Sequence, residues 1–101
     1  MIIYNVTSKV SWAIHDAWLE WMKLIHIPEV MNTGLFSGNR FVRLLETDDD
    51  DGPTYAIQYY LDDMEEYNTY IDKHAPELRE KVLQKWGGEV ISFRSLMEVI
   101  N

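Results

Sequence analysis

The fold of this chain is decided by residues 54–61, TYAIQYYL, in which large apolar side chains recur at every second position. Successive side chains of a strand point to opposite faces, so Tyr55, Ile57 and Tyr59 share one face. Residues 40–46 alternate more weakly, and an Asp-rich turn ending in Gly-Pro separates the two segments. Turns of this kind commonly join adjacent strands. We therefore predict a β-hairpin of strands Arg40–Glu46 and Thr54–Leu61.

A strand and a helix precede this hairpin. The segment from Ile2 to Val10 is rich in β-branched residues and predicts the first strand. Ser11 offers an N-cap oxygen to a helix that Pro28 should bend and Gly34 should end. The predicted buried stripe of this helix has apolar residues at helical spacing: Ile14, Trp18, Trp21, Met22 and Ile25.

Two helical segments and a last strand follow the hairpin. Asp62 with Glu65 fits a capping box. The second helix would then turn inward the side chains of Met64, Tyr67, Tyr70 or Ile71, and His74. Pro76 is well placed to begin a further segment over residues 77–85. The last strand, residues 90–100, has its apolar residues at Ile91, Phe93, Met97 and Val99.

The order strand, helix, strand, strand, helix, strand predicts a fold of class α+β. It is the order of a ferredoxin-like βαββαβ domain, in which a four-stranded antiparallel sheet carries its helices on one face. At 101 residues the chain has room for one core, so we predict a single domain over residues 1–101.

The composition excludes several classes of protein. Seventeen acidic and nine basic residues give a formal charge of −8, a field that repels phosphate backbones and anionic lipid. We expect no nucleic-acid binding and no membrane insertion, because no apolar run approaches the ~20 residues that span a bilayer. The absence of cysteine excludes disulfides and thiolate chemistry. Residues 1–7 do not resemble an export signal, so we expect a cytoplasmic protein.

The predicted sheet has apolar side chains on both faces. The sides expected to pack on the helices are Ile2/Tyr4/Val6, Tyr55/Ile57/Tyr59 and Ile91/Phe93/Val99. The opposite sides carry few charges and several bulky groups: Ile3/Asn5/Thr7, Ala56/Gln58/Tyr60 and Ser92/Arg94/Leu96. Monomers rarely leave such a face open, so we predict a homodimer joined through the sheet. Two alternatives are a monomer whose C-terminal residues or hairpin loop cover the face, and edge-to-edge strand pairing.

Three stretches resemble the dimeric α/β-barrel superfamily, in which two ferredoxin-like subunits pack sheet against sheet. They are Tyr4-Asn5-Val6, then residues 26–31 (HIPEVM) followed by Gly34-Leu35-Phe36, and residues 52–59 (GPTYAIQY). Over nearly its whole length the chain is similar to a small bacterial family of that superfamily, a domain of unknown function. The superfamily includes cofactor-free monooxygenases, haem-degrading enzymes, muconolactone isomerases, chlorite dismutases and non-catalytic regulators, so the resemblance implies a fold without fixing a function.

The resemblance implies a site role for His26, because a histidine near the end of the first helix, before a Gly-aromatic turn, recurs in several branches. Its ordinary pKa near 6.5 suits a general base in a pocket between that helix and the sheet. We expect the pocket to be lined by Tyr4, Trp18, Met22, Tyr59 and Phe93 and to bind a small apolar or aromatic ligand. The same aromatic residues are also typical of an ordinary core.

Metal ions and cofactors are not predicted. His15 and His26 are about 16 Å apart along the first helix, which is too far to share one ion. The run Asp48–Asp51 suggests a calcium loop, but the position that requires a bidentate Glu falls on Gln58. A solvated acidic loop is the favoured interpretation. Arg40, Arg43 and Arg94 are strand cations, and one of them could anchor an anion or pair across strands with Glu46 or Glu98; the ion pair is the favoured interpretation.

The sequence predicts a cytoplasmic homodimer that binds or senses a small molecule. The alternative is a cofactor-free monooxygenase- or isomerase-like enzyme that uses His26 as its base. Whether the chain is catalytic, and which ligand or protein partner it takes, are not decided by the residues alone.

Overall fold

The structure, a computed structural model, describes all 101 residues. Its strands and helices are β1 (Ile2–Val10), α1 (His15–Trp21), α2 (Ile27–Met31), β2 (Gly38–Arg43), β3 (Thr54–Leu61), α3 (Met64–Lys73), α4 (Ala75–Trp86) and β4 (Val90–Glu98). A π-helical segment, Met22–His26, joins α1 to α2 without a break, and a 3-10 turn, Gly87–Glu89, precedes β4. None of the helices is both long enough and apolar enough to cross a bilayer.

The four strands form one antiparallel sheet in the order β2-β3-β1-β4. In the centre, Tyr4 of β1 lies opposite Tyr59 of β3 on one side and Leu96 of β4 on the other. The helices lie in the two connections that skip a strand, from β1 to β2 and from β3 to β4. The predicted ferredoxin-like βαββαβ fold of class α+β is therefore confirmed.

The predicted hairpin is present, but β2 is shorter than expected. β3 covers the predicted residues, whereas β2 ends at Arg43 rather than at Glu46. Glu46 has a φ of 59°, a left-handed conformation that turns the chain out of the strand direction. The Arg43 guanidinium donates a hydrogen bond of 2.7 Å to the Asp49 carboxylate, which holds the start of the loop in place.

The acidic loop lies against the C-terminal end of β1. Trp12 Nε1 donates to the carbonyl oxygen of Asp49 at 2.7 Å, and Lys9 Nζ donates to that of Asp48 at 3.2 Å. Gly52 is required here, because a Cβ would lie 1.7 Å from the carbonyl oxygen of Val10 and the φ of Gly52 is +153°. The loop is thus anchored to the sheet as well as solvated.

The first helix begins later than predicted and changes its pitch. Ser11 Oγ accepts a hydrogen bond from the Ala13 amide within a turn, and the helix starts at His15. The Ile27 amide then donates to the carbonyl of Met22, an i→i+5 bond that defines the π-helical segment. The prediction that Ile25 belongs to the buried stripe is wrong, since it is 47% exposed. The wider turn rotates it outward.

The later helices follow the predicted order with small shifts of their boundaries. Asp63, not Asp62, caps α3, and its carboxylate accepts from the Glu66 amide at 3.0 Å. Of the predicted inward residues, Tyr70 is buried, whereas Met64 is 44% exposed. Pro76 lies in the first turn of α4, as predicted, and the helix ends at Trp86.

The prediction for the two sides of β4 is wrong, whereas those for β1 and β3 are confirmed. Arg94 is paired with Val6, whose side chain lies on the helix side, so Ser92, Arg94 and Leu96 face the helices. Ile91 and Phe93 lie on the open face and are 70% and 63% exposed. Both sides of β4 have apolar residues, so the alternation of its side chains does not decide which side packs against the helices. The pairing of β4 with β1 decides it.

Candidate functional site

A cavity of about 40 Å³ lies between the helix side of the sheet and the helices. Most of the residues around it are apolar, and they come from β1, β3, β4, the first helical span, α3 and α4. The lining includes five of the six residues expected at the site: Tyr4, Trp18, Met22, His26 and Tyr59. Phe93 is not among them, because it lies on the other face of the sheet.

The π-helical segment determines which side chains of the first helix reach the cavity. Trp18, Met22, His26 and Val30 all line it, at a constant spacing of four residues. In a regular α-helix each step of four overshoots one turn by about 40°, so His26 and Val30 would rotate away from Trp18. The wider turn over Met22–His26 absorbs this rotation. The helix can therefore present one continuous wall to the sheet.

His26 is held in its neutral form. Burial lowers its pKa from 6.5 to about 4, the nearby Arg94 and Lys81 lower it further, and Glu29 opposes the shift. Its ring stacks on Trp21 at 5.2 Å between centroids, and its Nδ1 is buried without a hydrogen-bond partner. At neutral pH the imidazole therefore has one nitrogen free to receive or donate a hydrogen bond.

The Tyr4 hydroxyl lies between two arginines at the edge of the cavity. Arg79 of α4 donates to this oxygen at 3.1 Å, and Nε of Arg94 donates to it at 3.1 Å. Both arginines line the cavity and both are exposed. None of the three strand arginines, Arg40, Arg43 and Arg94, forms the predicted ion pair with Glu46 or Glu98. Arg43 binds Asp49, and Arg94 binds Tyr4.

Two further phenols, Tyr59 and Tyr70, also line the cavity. Burial is the main cause that raises the pKa of Tyr59 and of Tyr70 above the ordinary value of 10.0. Both side chains stay neutral at physiological pH and keep their O–H donors. The rings of Tyr59 and Tyr70 lie 6.1 Å and 5.6 Å from that of Tyr4, so the three aromatic rings form one wall.

His15 lies apart from this site. Its Nε2 is 2.7 Å from the Tyr55 hydroxyl, and its Nδ1 is 2.9 Å from the Asp16 carboxylate. No three histidine, aspartate or glutamate side chains come close enough to hold a metal ion together.

Arg79 carries no signal of a site role in the sequence. It lies beside Leu78 on an otherwise ordinary amphipathic helix, 75 residues from Tyr4. Only the crossover that brings α4 above β1 and β4 places it at the cavity. Arg94 carried a partial signal, since a cation on a strand can anchor an anion.

Solved structures with this fold cover almost the whole chain. HapK from Hahella chejuensis is 11% identical with a TM-score of 0.71, over 99% of this chain and 93% of its own. A dimeric ferredoxin-like protein from an uncultured marine organism is 13% identical with a TM-score of 0.60, over 99% and 95%. A protein from Nitrosomonas europaea, described as a candidate antibiotic biosynthesis monooxygenase, is 15% identical with a TM-score of 0.62, over 100% of both chains.

At these identities the likeness extends to the fold alone. No curated protein matches the chain. The model of one protein family, Domain of unknown function (DUF4286), matches residues 1–100. This chain is therefore a member of the DUF4286 family.

Proposed function

We propose that this chain is a homodimeric module that binds a small molecule in the cavity beside His26. The observation that carries the proposal is the combination, in one apolar cavity, of a buried unpartnered imidazole nitrogen with exposed arginine donors at the edge. Ligand sites are typically apolar spaces with a few polar groups that orient the ligand. The cytoplasmic location stays a prediction.

The free space in this form of the protein is small. A cavity of about 40 Å³ holds only a few water molecules, whereas an engineered cavity that binds benzene measures about 150 Å³. A ligand must therefore widen the site. The wall most able to move is α4, whose side chains are mostly exposed and which contributes two apolar residues, Leu78 and Val82, to the lining.

Benzamide is a suitable neutral probe for this site, because it has a flat apolar ring and one polar group. We expect titration with benzamide to shift the amide NMR signals of residues around the cavity. The variant Val82→Phe fills the space and should abolish these shifts. The matched control is Leu83→Phe, at a neighbouring position that is 60% exposed and not in the lining. Unchanged shifts in Val82→Phe would show that benzamide does not use this cavity.

The second part of the proposal is self-association through the open face of the sheet. Phe93 and Ile91 of β4 and Val42 of β2 are exposed there, without a covering segment of the chain. A solved structure of similar fold is described as a dimeric ferredoxin-like protein, and this likeness supports a dimer of the present chain. Sedimentation at micromolar concentration should give twice the chain mass of 12.0 kDa. A particle of single-chain mass would end this part of the proposal.

A catalytic role is the alternative, and the buried Nδ1 of His26, which has no hydrogen-bond partner, is the observation that favours it. An unprotonated imidazole can accept a proton at neutral pH, and a protein of similar fold is described as a candidate monooxygenase. With a pKa of about 4, however, His26 is a weak base. For any activity detected, His26→Ala should abolish turnover and leave the dimer intact. Turnover that survives the substitution would remove the role of His26 as base.

A further inference from the structure

We infer that the ligand of this cavity is an organic carboxylate whose charged end is held by Arg79, Arg94 and the Tyr4 hydroxyl, with its apolar part inside. The inference rests on the proposed binding function and specifies the chemical class of the ligand. Its basis is a group of hydrogen-bond donors that converge at the edge of the cavity on a single neutral acceptor, the Tyr4 hydroxyl oxygen.

The donors outnumber the acceptors at this point. A tyrosine hydroxyl has two lone pairs and one hydrogen, and both lone pairs of Tyr4 are used by Arg79 and Arg94. The remaining function of this hydroxyl is to donate. Each guanidinium has five N–H groups, of which one is bound to Tyr4, so both arginines keep donors for another partner. Three side chains thus present donors, and a ligand that bears an acceptor matches them.

The charges lead to the same conclusion. The chain has 17 acidic residues, and those that pair with a lysine or arginine do so elsewhere: Asp49 with Arg43, and Glu29 and Glu77 with Lys81. Neither Arg79 nor Arg94 has a carboxylate within ion-pair distance, although both reach the same oxygen atom. Two like charges placed side by side repel each other. A bound anion would replace this repulsion with two charge-assisted hydrogen-bond contacts.

The geometry connects the charged edge with the apolar interior. Arg79 belongs to α4 and Arg94 to β4, so an anion between them would bridge the helix layer and the sheet. Tyr4 is only 3% exposed, and its ring packs against that of Tyr70 beside the cavity. A ligand that follows the Tyr4 side chain from its hydroxyl to its ring passes from a charged to an apolar environment. A carboxylic acid with an apolar body matches this order, since its charged group would lie at the arginines and its body in the apolar interior.

A single negative charge suits this protein better than a phosphate group. With a formal charge of −8 the protein repels anions at long range, and the repulsion grows with the charge of the ligand. The space behind the arginines is apolar, which favours a hydrophobic body over a hydrated one. A monocarboxylate with a short aliphatic or aromatic body satisfies both conditions.

Benzoate and benzamide test the inference, because they have nearly the same shape and differ in charge. We expect the wild-type protein to bind benzoate roughly tenfold or more tightly than benzamide in NMR titrations. Acetate, which has the charge without the ring, should bind more weakly than benzoate. Because both arginines are exposed, Arg94→Gln and Arg79→Gln should fold normally, and each should reduce the preference for benzoate. Arg40→Gln, an exposed arginine of β2 outside the lining, should leave the preference unchanged.

The outcomes separate this inference from the proposed function. If benzamide and benzoate bind equally and Val82→Phe blocks both, the cavity is a binding site and the carboxylate inference is wrong. The inference is also wrong if Arg94→Gln and Arg79→Gln keep the full preference, or if acetate binds as tightly as benzoate. If neither aromatic probe binds, the proposed binding function is wrong and the inference is lost with it.

Discussion

Replacing Phe93 with glutamate is the sharpest test of the proposed dimer. Phe93 lies on the open face of the sheet and is 63% exposed in the single chain. A phenylalanine can bury about 200 Å², so about 125 Å² of this residue remains uncovered. At about 25 cal/mol per Å², covering it contributes about 3 kcal/mol per copy. The two copies of a symmetric dimer contribute about 6 kcal/mol together.

This energy translates into a large change of affinity. At 1.4 kcal/mol per decade, about 6 kcal/mol corresponds to an increase in the dimer Kd of roughly 10⁴-fold. If the interface covers only half of each ring, the increase is still about a hundredfold. The desolvation of the introduced carboxylate adds to the effect. The variant should therefore be monomeric at concentrations where the unmodified protein is dimeric.

Analytical ultracentrifugation over a dilution series measures both Kd values. The control is Leu83→Glu on α4, where the parent side chain has a similar exposure of 60% but belongs to the helix layer. This variant should dimerise like the unmodified protein. The reasoning is refuted if Phe93→Glu changes the Kd by less than tenfold, or if both variants weaken the dimer equally.

Three further substitutions test the local structure. Gly52→Ala should lower the free energy of unfolding by at least about 2 kcal/mol in urea titrations. The control Gly88→Ala should change it by less than about 0.5 kcal/mol, because nothing lies within 4 Å of its added Cβ. Similar values for both variants would contradict the contact with Val10. Asp63→Ala should cost about 1 kcal/mol and Asp62→Ala clearly less, because Asp63 is the N-cap of α3; thermal unfolding that ranks them in the reverse order would be evidence against this cap. Burial keeps the folded-state pKa of His26 near 4, below the unfolded value of 6.5, so the unfolded chain takes up a proton first as the pH falls. Between pH 7 and pH 5 the unmodified protein should lose about 2 kcal/mol more stability than His26→Gln, and parallel pH curves would show that His26 is not desolvated.

The order of strands and helices along the chain and the hairpin were predictable because alternation and turn residues act over short distances. Tyr55, Ile57 and Tyr59 have larger apolar side chains than the residues between them, so only one orientation of β3 buries them well. β4 lacks this contrast, since Phe93 competes with Leu96 for the helix side. Its orientation depends on pairing with β1, more than 80 residues away. Such pairing cannot be derived from alternation within one segment.

The part of the candidate site that follows from local spacing was also predictable, and the part that depends on long-range contacts was not. Trp18 and Met22 follow helical spacing, which an α-helix template detects, and both line the cavity. Ile25 was assigned to the buried stripe because the same template has no π-helical turn. The convergence of Arg79 and Arg94 on Tyr4 joins three elements distant in sequence. No spacing rule relates such positions, so the arginine pair became visible only in three dimensions.

The π-helical turn also bears on how this site can change by insertion or deletion. A π turn has the hydrogen-bond pattern of an α-helix that has gained a residue. Removing one residue between Met22 and His26 would therefore restore an ordinary helix without breaking its backbone bonds. His26 would then follow Met22 by three α-helical steps of about 100° instead of by one full π turn, so its side chain would point about 60° away from the other cavity residues of the helix. A variant one residue shorter would therefore keep the helix but lose the alignment of His26 with the cavity. The helix can form, in other words, without the contact between His26 and a ligand.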